Sequence, residues 1–120
     1  MKKILLADDE HNLRMLVHTT LEDGEYEILE AANGTEALEM AKKEKPDLLV
    51  LDWMMPGLSG IEVAKRLRND PDTADIPIIM LTARGQEKDR EKGQALGAYA
   101  YLLKPFSPLQ LLEKVKDALR

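Results

Sequence analysis

The chain has 120 residues, 44% of them hydrophobic, and a formal net charge of −5. That is room for one domain with a real core, unlike a disordered composition, and the acidic balance argues against a free-standing nucleic-acid binder. Absence of cysteine excludes disulfides, zinc–thiolate centres and thiol catalysis, and no apolar stretch nears the roughly 20 residues of a membrane span.

Met1-Lys2-Lys3 leads straight into Ile4-Leu5-Leu6-Ala7, read as a strand near 3–7 that ends on Asp8-Asp9. A signal peptide would need a longer apolar region and a cleavage site, so a soluble, cytoplasmic protein is expected. A helix near 10–23 carries the stripe Leu13, Leu16, Val17, Thr20 and Leu21, and Gly24 stops it. Its His11 and His18 lack further ligands and are read as surface residues. A strand near 26–30 precedes a helix over 34–44, which Asn33 and Glu36 open in the manner of a capping box. The strand near 47–51 ends on Asp52. Ser59 with Glu62 starts a helix over 59–69, and Pro71 lies beyond its end. The strand near 76–81 ends on Thr82.

The segment 85–96 reads as a different kind of helix. Gln86 to Gln94 is almost wholly polar, with Gly93 inside it and only Ala95 and Leu96 as anchors. Such a helix is either a plain solvated surface element or one that shifts cheaply. A strand over 100–103 then ends on Lys104-Pro105. Ser107-Pro108-Leu109-Gln110 opens the last helix, 108–119, whose stripe is Leu111, Leu112, Val115, Ala118 and Leu119.

Five strand–helix units with crossovers of this length predict an α/β, flavodoxin-like fold: a doubly wound, five-stranded parallel sheet of order 2-1-3-4-5. Residues 1–120 are read as a single domain, whether or not a longer regulator contains it. Ligands of such sheets bind beyond the carboxyl ends of the strands. Asp8, Asp9, Asp52, Thr82 and Lys104 are therefore delivered to one edge, with the switch point between strands 1 and 3 bringing Asp8-Asp9 beside Asp52. Two like charges about 4 Å apart cost about 4 kcal/mol at an effective dielectric of 20. Three gathered carboxylates call for a cation, and an all-oxygen site suits Mg²⁺.

Each residue alone has an ordinary explanation. An aspartate before a helix caps it, Asp52 precedes the Pro56-Gly57 turn, Thr82 could cap a helix, and a lone lysine usually lies on the surface. One capping aspartate leaves its neighbour unexplained, and four such residues at four strand ends make a poor coincidence.

Ile4-Leu5-Leu6-Ala7-Asp8-Asp9-Glu10, Leu51-Asp52-Trp53-Met54-Met55-Pro56-Gly57, Leu81-Thr82-Ala83 and Leu103-Lys104-Pro105-Phe106, in this order and spacing, resemble the receiver domain of two-component response regulators over essentially the whole chain. The resemblance implies that Asp52 accepts a phosphoryl group from a sensor histidine kinase or phosphotransfer protein. It implies Mg²⁺ on Asp9, Asp52 and the Met54 carbonyl, with Asp8 acting partly through water. It implies that Lys104 and the Thr82 hydroxyl contact the phosphoryl oxygens. Tyr101 matches the switch aromatic, and Lys104-Pro105 the usual cis peptide. Such a domain has no separate substrate and controls an output domain or protein partner, without binding nucleic acid itself.

Met54 and Arg84, two places beyond Asp52 and Thr82, resemble the pair at the mouth of the site in receivers of the winged-helix transcription-factor subfamily. The runs Thr82-Ala83-Arg84-Gly85 and Pro105-Phe106-Ser107-Pro108 do likewise. That subfamily dimerises through ion pairs on its fourth helix, fifth strand and fifth helix. Here Tyr99 and Ala100 stand where two aspartates are common, opposite possible basic partners Arg90 and Lys114, so any homodimer is expected to be weak and apolar. Two rival readings fit less well. An aspartyl-phosphate phosphatase of the haloacid-dehalogenase type has a second aspartate two residues after the nucleophile, where this chain has Met54. A flavin module needs a Ser/Thr/Gly-rich loop where this chain has Asp8-Asp9-Glu10.

Overall fold

The computed structural model describes residues 1–22, 26–82 and 97–120. The strands are β1 (Lys2–Ala7), β2 (Tyr26–Ala31), β3 (Leu48–Asp52), β4 (Ile78–Thr82) and β5 (Ala100–Leu103), and the described helices are α1 (His11–Glu22), α2 (Gly34–Glu44), α3 (Gly60–Arg68) and α4 (Pro108–Ala118). The strands form one parallel sheet in the order β2-β1-β3-β4-β5, as expected. The helix expected over 85–96, with Arg84 and Arg90, and the expected stop at Gly24 lie outside the described residues.

The apolar runs form strands buried on both faces because alternate side chains serve two cores. Leu5, Ala7, Leu49, Leu51, Ile78 and Met80 face one way, where Ala37, Leu38 and Ala41 of α2 and Val63, Ala64 and Leu67 of α3 cover them. Ile4, Leu6, Leu48, Val50, Ile79 and Leu81 face the other way, onto Val17 and Leu21 of α1 and Leu111 and Val115 of α4. The α1 stripe is narrower than its sequence suggests. Val17 and Leu21 are fully buried, whereas Leu16 is 44% exposed at the rim.

The helix starts follow the capping signals. Asn33 Oδ1 accepts from the Glu36 amide at 2.8 Å, and Ser59 Oγ accepts from the Glu62 amide at 3.3 Å. At α4 both halves of the box form, Ser107 with Gln110. Strand β4 starts two residues later than expected because Pro77 has no N–H for the ladder; its carbonyl still accepts from Leu49 at 3.0 Å. Helix α3 ends at Arg68, before Pro71. The buried Thr73 hydroxyl donates to the Leu67 carbonyl at 2.8 Å, and the Arg68 guanidinium donates to the carbonyls of Ala74, Ile76 and Gly97. The contacts of Thr73, Ala74 and Ile76 tie the α3–β4 connection back onto the end of the helix, and that of Gly97 ties on the residues before β5.

Candidate functional site

Parallel register brings the strand ends level. Ala7 lies beside Leu51, Asp52 beside Leu81, and Thr82 beside Leu103. The next residues along β1 and β5, Asp8 and Lys104, therefore meet Asp52 and Thr82 at the carboxyl edge.

Carboxylate oxygens of Asp8, Asp9 and Asp52 lie within 4.8 Å of one another; Asp8 and Asp52 are buried and Asp9 is exposed. The Lys104 ammonium sits 2.9 Å from Asp8 Oδ2, 3.3 Å from Asp52 Oδ2 and 3.9 Å from Glu10 Oε1. The peptide between Lys104 and Pro105 is cis. One ammonium against three carboxylates leaves negative charge in a largely buried place. Burial and the neighbouring charge of Asp8 push the Asp52 carboxyl up from 3.8 to about 6, against the opposing pull of Lys104 and the Met54 backbone hydrogen bond. For Lys104, burial pushes down, but its hydrogen bond to Asp8 and the charges of Asp52 and Asp8 outweigh that, and its pKa is raised. Clustered hard oxygen donors with excess negative charge are the chemistry a divalent cation such as Mg²⁺ takes up.

The loop after β3 is anchored by close backbone packing. The Gly60 amide donates to the Trp53 carbonyl at 2.9 Å, and a Cβ on Gly60 would lie 2.2 Å from the Asp52 carbonyl oxygen. A Cβ on Gly34 would lie 1.9 Å from the Leu58 carbonyl oxygen. Only glycine lets α2 and α3 approach the loop this closely. Met54 side-chain exposure is consistent with a place at the mouth: the residue is 61% exposed.

Thr82 is 3% exposed, and its hydroxyl donates to the Leu102 carbonyl of β5 at 3.5 Å. That bond is long and therefore weak. Tyr101 is half-buried against the core on the α2/α3 side of the sheet. Tyr99 is 51% exposed and Leu103 41% exposed. His11 is exposed, as read from the sequence, but His18 is engaged, its Nδ1 lying 2.9 Å from Glu30 Oε2.

Two contributors were not singled out in the sequence. Arg14 Nη1 donates to the Asp8 carbonyl at 2.7 Å, and Arg14 Nε donates to Glu30 Oε1 at 3.3 Å. Glu30 reads in the sequence as an ordinary polar residue of a strand, and its side chain is 35% exposed. Nothing in the sequence paired it with Arg14.

Comparison with known proteins agrees with this architecture. The family model described as "Response regulator receiver domain" matches residues 4–116. The phosphate regulon transcriptional regulatory protein PhoB of Pseudomonas aeruginosa is 50% identical over 119 residues, covering 99% of this chain and 52% of that protein. The alkaline phosphatase synthesis transcriptional regulatory protein PhoP of Bacillus subtilis is 48% identical, covering 99% of this chain and 49% of that protein. The chain thus spans about half the length of the curated relatives it matches. Among solved structures, the chemotaxis response regulator CheY4 of Vibrio cholerae superposes with a TM-score of 0.92 at 38% identity, covering 99% of each chain. No helix among the described residues is long and apolar enough to cross a membrane. A match from Ile4 to Lys116 takes in the carboxyl ends of all five strands, and on it the chain belongs to the response regulator receiver domain family.

Proposed function

We propose that Asp52 is the phosphoryl acceptor of this receiver, with a sensor histidine kinase or phosphotransfer protein as donor. The observation that carries the reading is the Lys104 ammonium set between Asp8 and Asp52, at 2.9 and 3.3 Å, with Asp9 beside them. A carboxylate is a competent nucleophile for phosphoryl transfer, and that transfer needs positioning and charge neutralisation more than covalent help. Asp9, Asp52 and the Met54 carbonyl would hold Mg²⁺, with Asp8 nearby, and the ion would supply positive charge to the incoming phosphoryl oxygens. Lys104 supplies the second positive charge from the carboxyl end of β5. The chain acts on itself rather than on a separate substrate, and in that sense it is not an enzyme.

The metal reading has a direct test. Trp53 is the single tryptophan, adjoins Asp52 and is 6% exposed. Its fluorescence is expected to follow a Mg²⁺ titration, and Asp9→Ala to shift the midpoint to at least about tenfold higher Mg²⁺ as one ligand is lost. Asp9→Ala titrating like the parent would show the site is misassigned.

The output reading starts from Thr82. A phosphoryl group on Asp52 adds negative charge and acceptor oxygens. The Thr82 hydroxyl can exchange its weak bond to Leu102 for a charge-assisted one to those oxygens. That exchange loosens β4 from β5 near Tyr101 and biases a two-state repacking of the face made by β5, α4 and the expected 85–96 helix, the last of which lies outside the described residues. Through this face the domain would control an output domain or protein partner. The curated relatives are transcriptional regulators, which accords with a DNA-directed output carried elsewhere and with a cytoplasmic location. On adding beryllofluoride, a phosphoryl mimic, NMR shifts are expected to concentrate at Thr82 and residues 97–106 and to leave α2 nearly unchanged. Shifts confined to Asp8, Asp9 and Asp52 would defeat the switch. Any activated homodimer through Tyr99 and Leu103 should be weak and insensitive to salt.

A further inference from the structure

We propose that Arg14 is a positioning residue for the acidic site, acting through the backbone of Asp8; this rests on the reading of Asp8, Asp9 and Asp52 as the metal and phosphoryl site. Arg14 lies on the first turn of α1, and its side chain is only 14% exposed. Its Nη1 reaches the Asp8 carbonyl at 2.7 Å, the short distance of a charge-assisted hydrogen bond. The guanidinium is itself held: Nε meets Glu30 Oε1 at 3.3 Å, and the other oxygen of Glu30 meets His18 Nδ1 at 2.9 Å.

The neighbouring strand thus grips Asp8 at both ends of its backbone. The Asp8 amide donates to the carbonyl of Ala31 at 3.1 Å, and the Asp8 carbonyl is fixed by Arg14, which Glu30 anchors. The side chain is pinned as well, Oδ1 by the Glu10 amide at 2.9 Å and Oδ2 by Lys104 at 2.9 Å. The Asp8 carbonyl belongs to the peptide plane that leads into Asp9. Asp9 is exposed, so the orientation of that plane decides where its carboxylate points. A guanidinium forked between a carboxylate and a carbonyl fixes such a plane; an ammonium, a point charge without a planar fork, does so poorly.

A merely structural tie between α1 and β2 would change unfolding and leave the metal affinity of the folded protein alone. A positioning role changes affinity. The experiment is calorimetric Mg²⁺ titration of the full chain, for the parent, Arg14→Met, Arg14→Lys, Glu30→Gln and the Arg14→Met/Glu30→Gln double variant, with urea unfolding of each in EDTA. Arg14→Met is expected to weaken Mg²⁺ binding about tenfold, the usual cost of losing a residue that orients a ligand. Glu30→Gln and Arg14→Lys should each lose part of that. The double variant should lose no more than Arg14→Met, because both changes act through one contact. Folded Arg14→Met or Arg14→Lys binding Mg²⁺ like the parent overturns the inference, and so do additive losses in the double variant. If Arg14→Met does not fold, Arg14→Lys and Glu30→Gln decide by the same criterion. A parent that binds no Mg²⁺ has a different meaning, since it overturns the site itself and the inference with it.

Discussion

Asp52→Asn should reduce phosphoryl uptake from acetyl phosphate to background, and EDTA should do the same to the parent protein. Asp52 ends β3 level with Leu81, 6% exposed, with Lys104 3.3 Å from its carboxylate. An amide in its place keeps the shape and removes the proposed nucleophile. The metal requirement follows from charge. Three carboxylates and an anionic phosphodonor meet a single ammonium, and an added cation is needed to bring the donor into a negatively charged cleft. Intact-mass spectrometry after incubation reads both effects. One phosphoryl group is expected on the parent in Mg²⁺ and none on Asp52→Asn. Equal incorporation in Asp52→Asn would remove Asp52 as acceptor, and full incorporation in EDTA would remove the metal from the scheme.

The second large effect concerns stability without metal, and its sign is unusual for a carboxylate. The Asp52 carboxyl is raised from 3.8 to about 6 in the folded protein, mainly by burial and then by Asp8. A raised acid favours the folded state most when it is protonated. Its contribution is therefore fully present below 3.8 and is lost as pH rises through about 6. A shift of about two units corresponds to roughly 3 kcal/mol of lost stability at neutral pH. Lys104 does not blur this window. Its pKa is raised, so its stabilising charge is fully present below 10.5 and is lost only above that.

In EDTA, the urea midpoint of the parent should rise as pH falls from 7 toward 5. Asp52→Asn, which cannot titrate, should be flatter there and more stable than the parent at pH 7 by up to roughly 3 kcal/mol. Mg²⁺ should narrow the gap, because an ion that binds the folded parent stabilises it by mass action. Parallel pH profiles for parent and variant would show that Asp52 is not the strained carboxylate. The substitution that ends phosphorylation is thus expected to strengthen the metal-free fold, as happens where a site is held together against its own repulsion.

Much of this protein is legible in its sequence, because the relevant physics is local. Runs such as Leu48-Leu49-Val50-Leu51 are too apolar to face water on either side, so they predict central parallel strands, and all five residues of β3 are buried. The caps at Asn33, Ser59 and Ser107 involve residues three apart, which sequence spacing shows directly. Strand-end chemistry is legible for the same reason: a parallel sheet sends every carboxyl end to one edge, so Asp8, Asp52, Thr82 and Lys104 are neighbours once the strand order is known.

Tertiary structure alone decided which of these groups touch and how they are charged. Asp8 and Asp9 are adjacent in the chain, yet one is buried under Lys104 and the other is exposed, since successive residues at a strand end turn to opposite sides. The Thr82 hydroxyl is engaged by Leu102, twenty residues away, through the pairing of β4 and β5. Leu16 fits the helical period of α1 but is 44% exposed, whereas Val17 and Leu21 are fully buried. Arg14 and Glu30 meet across sixteen residues only because β2 lies beside β1 in one particular register. The sequence by itself determined the described elements, the sheet order and which polar side chains gather at the carboxyl edge, through burial and local hydrogen bonding. Register and burial, which depend on contacts far apart in the chain, decided the raised Asp52 carboxyl and the Arg14 clamp on Asp8.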